Sequence, residues 1–258
     1  LWQDARKGLL IMRVLRRIAI VLIVIIALLV SAFVVWASTP AGPVMPEAEA
    51  ALRDTPTVEV SQTPYLSFRP TQSTPTTGLI LYPGGKVPSE AYAPYGQALA
   101  ELGYLVVIPS MPLQLAVFDP QRADMVMAAY PDITHWAVGG HSLGGAMAAV
   151  YAHSHPDRVD GLVLWGAYPR EQESLAQTDL AVVSIYGTLD GLALPEVIEA
   201  SAAYLPADAR LIAIEGGNHA QFGWYGPQAG DNPATLSHAD QMAATVRATA
   251  ELLSALGD

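Results

Sequence analysis

The chain has 258 residues, 52% of them hydrophobic and 14% charged, with 13 Lys and Arg against 24 Asp and Glu and a net charge of −11 at pH 7. So apolar a chain is not a disordered one, and its acidic balance excludes a nucleic-acid partner, which would need a basic face. With no cysteine at all, disulfides, thiolate metal sites and thiol-linked lipid attachment are excluded as well.

In chain order, the first element is a basic segment, residues 1–17, carrying Arg6, Lys7, Arg13, Arg16 and Arg17. Ile18 to Trp36 follows as an apolar run broken mainly by Ser31. At about 1.5 Å per helical residue it is long enough to cross the core of a bilayer. The run predicts a transmembrane anchor over 18–37, with residues 1–17 in the cytoplasm and the rest of the chain outside, by the positive-inside rule. A cleaved signal peptide is the competing reading: Val35-Trp36-Ala37 ends on a small residue, Met12 is a candidate start, and a cut there gives a secreted product. Residues 38–56, with Pro40, Pro43, Pro46 and Pro56, read as a partly extended spacer.

Residues 57–258 have the size of one α/β domain. Thr57–Val60 and Tyr65–Phe68 predict an entry hairpin, and Leu79–Tyr82 a first central strand that runs into Pro83-Gly84-Gly85-Lys86. Helices are expected over Ser89–Leu102, Pro120–Ala129, Leu143–His153, Pro195–Tyr204 and Ser237–Leu256. His135–Gly139, Gly161–Trp165, Ala181–Tyr186 and Arg210–Ile214 are short apolar runs bounded by turn residues, as parallel strands buried on both faces require. Only Pro169 to Leu180 separates two of these strands, which leaves no room for a helical lid there.

Gly140-His141-Ser142-Leu143-Gly144 matches the G-x-S-x-G nucleophile elbow and stands where such an elbow must, between a strand and an Ala-rich helix. The alternative is a glycine-rich turn in which Ser142 caps the helix. Downstream, Asp190 in Gly187-Thr188-Leu189-Asp190-Gly191 and His219 in Gly217-Asn218-His219 each lie just past a strand end, the edge at which α/β sheets bind ligands. His238, within the terminal helix, and Glu215 are the rivals for base and acid. His141, His153 and His155 read as packing or helix-end residues.

These segments, together with Leu81 to Pro88 and Gly217 to Gly223, resemble the α/β-hydrolases, and are similar to a small hydrolase group distantly related to dienelactone hydrolases. Those enzymes use a cysteine nucleophile, where this chain has serine. The resemblance implies an α/β-hydrolase fold: a mostly parallel central sheet flanked by helices, without a large lid, here preceded by the transmembrane helix. It implies a triad of Ser142, His219 as general base and Asp190 as its orienting acid, with an oxyanion hole from the N–H groups of Leu143 and Gly85, Lys86 being a substitute for the latter. Met111, Trp165, Leu192 and Trp224, with Leu113, Leu115, Tyr168 and Tyr225, are expected pocket walls.

The expected activity is carboxylic-ester hydrolysis of a small or surface-presented ester through an acyl-enzyme, without metal or cofactor. Thioester hydrolysis, acyl transfer, and ligand binding by an inactive scaffold are the alternatives.

Overall fold

In the computed structural model, residues 2–257 are described; for residues 3–7, 9–11 and 14 the description is limited to the backbone, so the side chains of Arg6 and Lys7 lie outside the described residues. The chain divides into two compact units, Leu1–Thr39 and Pro40–Asp258. The first is one helix, α1 (Trp2–Ser38), in which Leu15–Ser38 is long and apolar enough to cross a membrane.

The second unit begins earlier than composition suggests. Residues 40–56 are not an extended spacer: Ala41 donates its N–H to Lys86 O at 2.8 Å and Met45 to Trp224 O at 3.0 Å. The short helix α2 (Pro46–Ala50) then buries Ala48 completely. Small side chains let the segment lie flat on the unit, which a Pro-rich composition does not announce.

The hairpin forms as expected, from β1 (Val58–Ser61) and β2 (Leu66–Pro70). The remaining elements are β3 (Thr77–Tyr82), α3 (Ala93–Glu101), β4 (Leu105–Ile108), α4 (Arg122–Ala129), β5 (His135–His141), α5 (Leu143–Ser154), β6 (Gly161–Trp165), β7 (Ala181–Gly187), α6 (Pro195–Ala200), β8 (Arg210–Ile214) and α7 (His238–Ala255). Two expected helices are shorter than their patterns: Ser89–Tyr92 and Ser201–Tyr204 form 3₁₀ turns beside α3 and α6. β4 was absent from the sequence expectation, although Leu105-Val106-Val107-Ile108 is a buried, β-branched run of the kind that forms central strands.

The sheet has eight strands in the order β1-β2-β4-β3-β5-β6-β7-β8. β1, β2 and β4 pair antiparallel, and every pair from β4 to β8 is parallel. Side chains alternate across the sheet with the strand period of two. Leu79 and Leu81 enter one core with Phe68, Tyr95, Trp165 and Leu253, under α3 and α7. Ile80 and Tyr82 enter the other, with Val107, Val138 and Leu164, against α4 and α5. Covered on both faces, the sheet presents its loops at the edges, and the carboxyl ends of β3, β5, β6, β7 and β8 lie side by side.

Candidate active site

β5 ends at His141 and α5 starts at Leu143, so Ser142 alone makes the turn. Its backbone is in a region that L-residues avoid, φ 52° and ψ −123°, and its N–H is pinned to Trp165 O at 3.0 Å. Such an elbow leaves no room for a side chain two residues before or two residues after the serine. A Cβ at Gly144 would collide with the Tyr82 and Pro83 carbonyls, and one at Gly140 would lie 2.5 Å from Gly144 C.

Among the described residues, four non-glycine residues have positive φ: Ser142, Lys86 (63°), Leu113 (52°) and Gln114 (56°). All four belong to this edge of the sheet. Lys86 N–H donates to Gln114 O at 2.8 Å, tying the loop after β3 to the segment after β4. Each such residue costs about 1–3 kcal/mol, and strain of that kind concentrates at functional sites.

Asp190 and His219 come together from the loops after β7 and β8. Asp190 Oδ2 lies 2.8 Å from His219 Nδ1, and both residues are 1% exposed. The other carboxylate oxygen accepts the N–H groups of Leu192 (2.9 Å) and Ala193 (2.7 Å), which fixes the acid from behind. Gly166, at φ 50° after β6, makes room: a Cβ there would stand 3.0 Å from Asp190 Oδ2 and 3.1 Å from His219 Nδ1. With Nδ1–H donated to the carboxylate, the lone pair of the imidazole is on Nε2. That atom is buried and has no hydrogen-bond partner in the protein. His141 Nε2 and His238 Nε2 are also without a partner, and what sets His219 apart is that its other nitrogen is held by a buried carboxylate.

Three consecutive amides follow β3 at Gly84, Gly85 and Lys86. Gly84 N–H donates to Tyr92 Oη at 2.8 Å, and Lys86 N–H is taken by Gln114. The Lys86 N–H is therefore engaged, and Gly85 lies between two amides that already have acceptors. A Cβ on Gly85 would touch the Leu143 side chain at 3.3 Å, so Gly85 stands beside the first residue of α5, whose N–H has no acceptor within the helix.

Tyr92 and His141 support this loop from beneath. The Tyr92 hydroxyl accepts from Gly84 and has one proton to give, which goes to His141 Nδ1 at 2.9 Å. Burial, then the neighbouring His219, holds the His141 imidazole well below its ordinary pKa, so it stays neutral. Its ring lies 4.5 Å from that of His219, centroid to centroid.

The rivals are placed elsewhere. His238 stacks on Trp224 with centroids 3.7 Å apart, and burial pushes its pKa down to about 4. Glu215 is exposed at the end of β8. Among the expected pocket walls, Met111 lines a cavity of about 220 Å³ with Pro83, Val87 and Gln114, beside the loop after β3. Leu115 stands beside Gly85, and Leu192 is 39% exposed next to Asp190. Trp165 is corrected: it is sealed in the core, stacked near Phe222, with Nε1 donating to Thr249 Oγ1 at 3.2 Å. Tyr225 is equally buried, and Trp224 packs on His238.

Asp231 escaped the sequence reading. Its carboxylate accepts from Gly191 N (3.0 Å), His219 N (3.3 Å), Ala220 N (2.8 Å) and Asn232 N (2.9 Å), clamping the acid loop to the histidine loop. No local pattern betrays such a residue, because its partners are brought to it by the fold.

Comparison with known proteins agrees with this architecture. A family model described as "Alpha/beta hydrolase family" matches residues 78–243, from β3 into α7. Among solved structures, the chain is similar to MGS-MChE2, an alpha/beta hydrolase enzyme from the metagenome of sediments of the Mar Chica lagoon, Morocco. The likeness has 20% sequence identity and a TM-score of 0.51, and covers 63% of this chain and 90% of that one. No curated protein matches. The finer likeness to dienelactone hydrolases rests on the sequence segments alone. With the parallel sheet, the elbow after β5 and a family match spanning both, the chain belongs to the alpha/beta hydrolase family.

Proposed function

We propose that the protein is a membrane-anchored serine hydrolase that cleaves carboxylic esters through an acyl-enzyme. The observation that carries this reading is the buried Asp190–His219 pair, 2.8 Å apart, with an unpartnered Nε2 at the sheet edge that holds the strained Ser142. Ser142 Oγ bonds to the ester carbonyl carbon while His219 Nε2 takes the hydroxyl proton, and Asp190 stabilises the imidazolium that forms. The oxyanion is met by the N–H groups of Gly85 and Leu143. Collapse breaks the bond to the alcohol, which leaves with the proton from His219. Water then repeats the sequence and releases the acid. The anchor is the apolar span Leu15–Ser38, with Arg13 just before it and Arg16 and Arg17 in its first turn.

The test is reaction of the full chain in detergent with a fluorophosphonate, followed by peptide mass spectrometry. We expect an adduct on Ser142 that is absent from His219→Ala. A folded protein that takes no label, or takes it elsewhere, overturns the reading.

A further inference from the structure

A cavity of about 430 Å³ lies against the histidine loop, walled by four stretches of the second unit: Met45 ahead of α2, parts of 218–221 and of 226–234, and His238 at the start of α7. Ser142, Asp190 and His219 are not among its walls. Its volume falls in the range of small-molecule sites, about 300–1,000 Å³.

The walls combine hydrocarbon with oxygen-rich polar groups. Met45, Pro227, Pro233 and Ala234 supply the hydrocarbon. Among the polar wall residues, Gln221 and His238 each carry a buried atom without a partner in the protein, Oε1 and Nε2 respectively. Gln221 Nε2 donates to Leu236 O at 3.4 Å, so the atom left over is an acceptor. The Asp231 carboxylate is used unevenly: Oδ1 takes the N–H groups of Gly191, His219 and Asn232, whereas Oδ2 takes only that of Ala220, at 2.8 Å. Oδ2 therefore keeps acceptor capacity. No Lys or Arg lines the cavity, and Glu47 of α2 adds a negative field at His238. Unmet acceptors, a carboxylate and no basic side chain complement a cation that donates hydrogen bonds, while an anion would find no counter-charge.

We propose that this cavity is a second ligand site and that it takes a small organic ammonium ion, with its hydrocarbon part on Met45, Pro227, Pro233 and Ala234 and its N–H groups on Asp231 Oδ2 and Gln221 Oε1. Binding of this kind needs no chemistry at Ser142, so it stands apart from the serine-hydrolase reading. The same carboxylate holds the amides of Gly191 and His219, which links the occupant to the two loops that carry Asp190 and His219.

The test melts the full chain in a non-ionic detergent, at constant ionic strength, with 2-phenylethylammonium and with 2-phenylethanol and phenylacetate as its neutral and anionic counterparts. The melting temperature rises saturably with the cation, by about 3–5 °C at ten times the half-saturating concentration, and stays within about 1 °C with the other two. Ala234→Trp, which fills the cavity, abolishes the rise. Gln221→Met, which keeps the side-chain length and removes the acceptor, raises the half-saturating concentration about tenfold. A cooperative melt reports that each variant is folded, and if Ala234→Trp shows none, Gln221→Met decides alone. No rise with the cation, an equal rise with the alcohol or the acid, or a rise that neither variant weakens overturns the proposal. Fluorophosphonate labelling is read on the same sample, so a missing label on Ser142 with the thermal rise intact overturns the hydrolase reading alone.

Discussion

The imidazole of His219 is useful only if its two nitrogens do different things, and the surrounding residues enforce this. Ser142→Ala and His219→Ala are each expected to lower kcat by about 10⁴-fold or more, and the double variant to be scarcely worse, because the two side chains act as one unit. Additive losses in single-turnover assays would contradict that. Asp231→Ala removes four amide contacts at once; with charged hydrogen bonds worth about 1.5–3 kcal/mol each, and partial rescue by water, we expect a loss of about 2–3 kcal/mol in urea unfolding. We also expect kcat to fall more than KM rises, since the clamp sets the His219 loop rather than a substrate contact. That Ser142, Asp190 and His219 stand just past strand ends was legible in the sequence, because each follows an apolar run. Asp231 and Tyr92 were not, because they serve backbone groups that only the folded loops bring near.

Among the elements, α7 carries a titratable group at its first turn. His238 is held neutral by burial against Trp224, with a folded pKa of about 4 against an ordinary 6.5. The unfolded chain therefore binds a proton that the folded chain refuses. Stability from this group is full above pH 6.5 and is lost as pH falls through the window from 6.5 to about 4. His141 adds a loss of the same sign. Thermal melts of His238→Gln should show a shallower fall across that window than the parent, with the two curves parallel above pH 7. The leading segment makes a second case. A chain beginning at Thr57, where composition places the domain boundary, lacks α2 and the strap at 40–45. It should melt about 5 °C or more below a chain beginning at Pro40, roughly 2 kcal/mol at this length. Equal melting temperatures would show that the segment is only a spacer. The helices and parallel strands were readable from period and turn residues. β4 and α2 were not, since four apolar residues carry no period and a Pro/Ala-rich stretch has the composition of a linker.

For the whole molecule, the span Leu15–Ser38 is long and apolar enough to cross a membrane, and an anchor there would set where the proposed catalysis takes place. The protein should stay in the membrane fraction after a high-salt wash and should leave it when the segment before Ala37 is deleted. Recovery of a natural soluble form starting at Ser38 would instead identify the span as a cleaved signal. The positive flank and apolar length made the span evident in the sequence, whereas the hold of Ala41 on Lys86 is visible only in the fold. That single hydrogen bond has a bearing on shedding. A protease cutting at Ala37 frees the unit with residues 40–45 in place, and hence with the loop after β3 still held at Lys86 O. A cut at Met45 frees nearly the same mass without the brace. Two cleavages eight residues apart thus release units that differ in whether Lys86 O keeps the Ala41 N–H, and the longer product is expected to turn over a soluble ester faster.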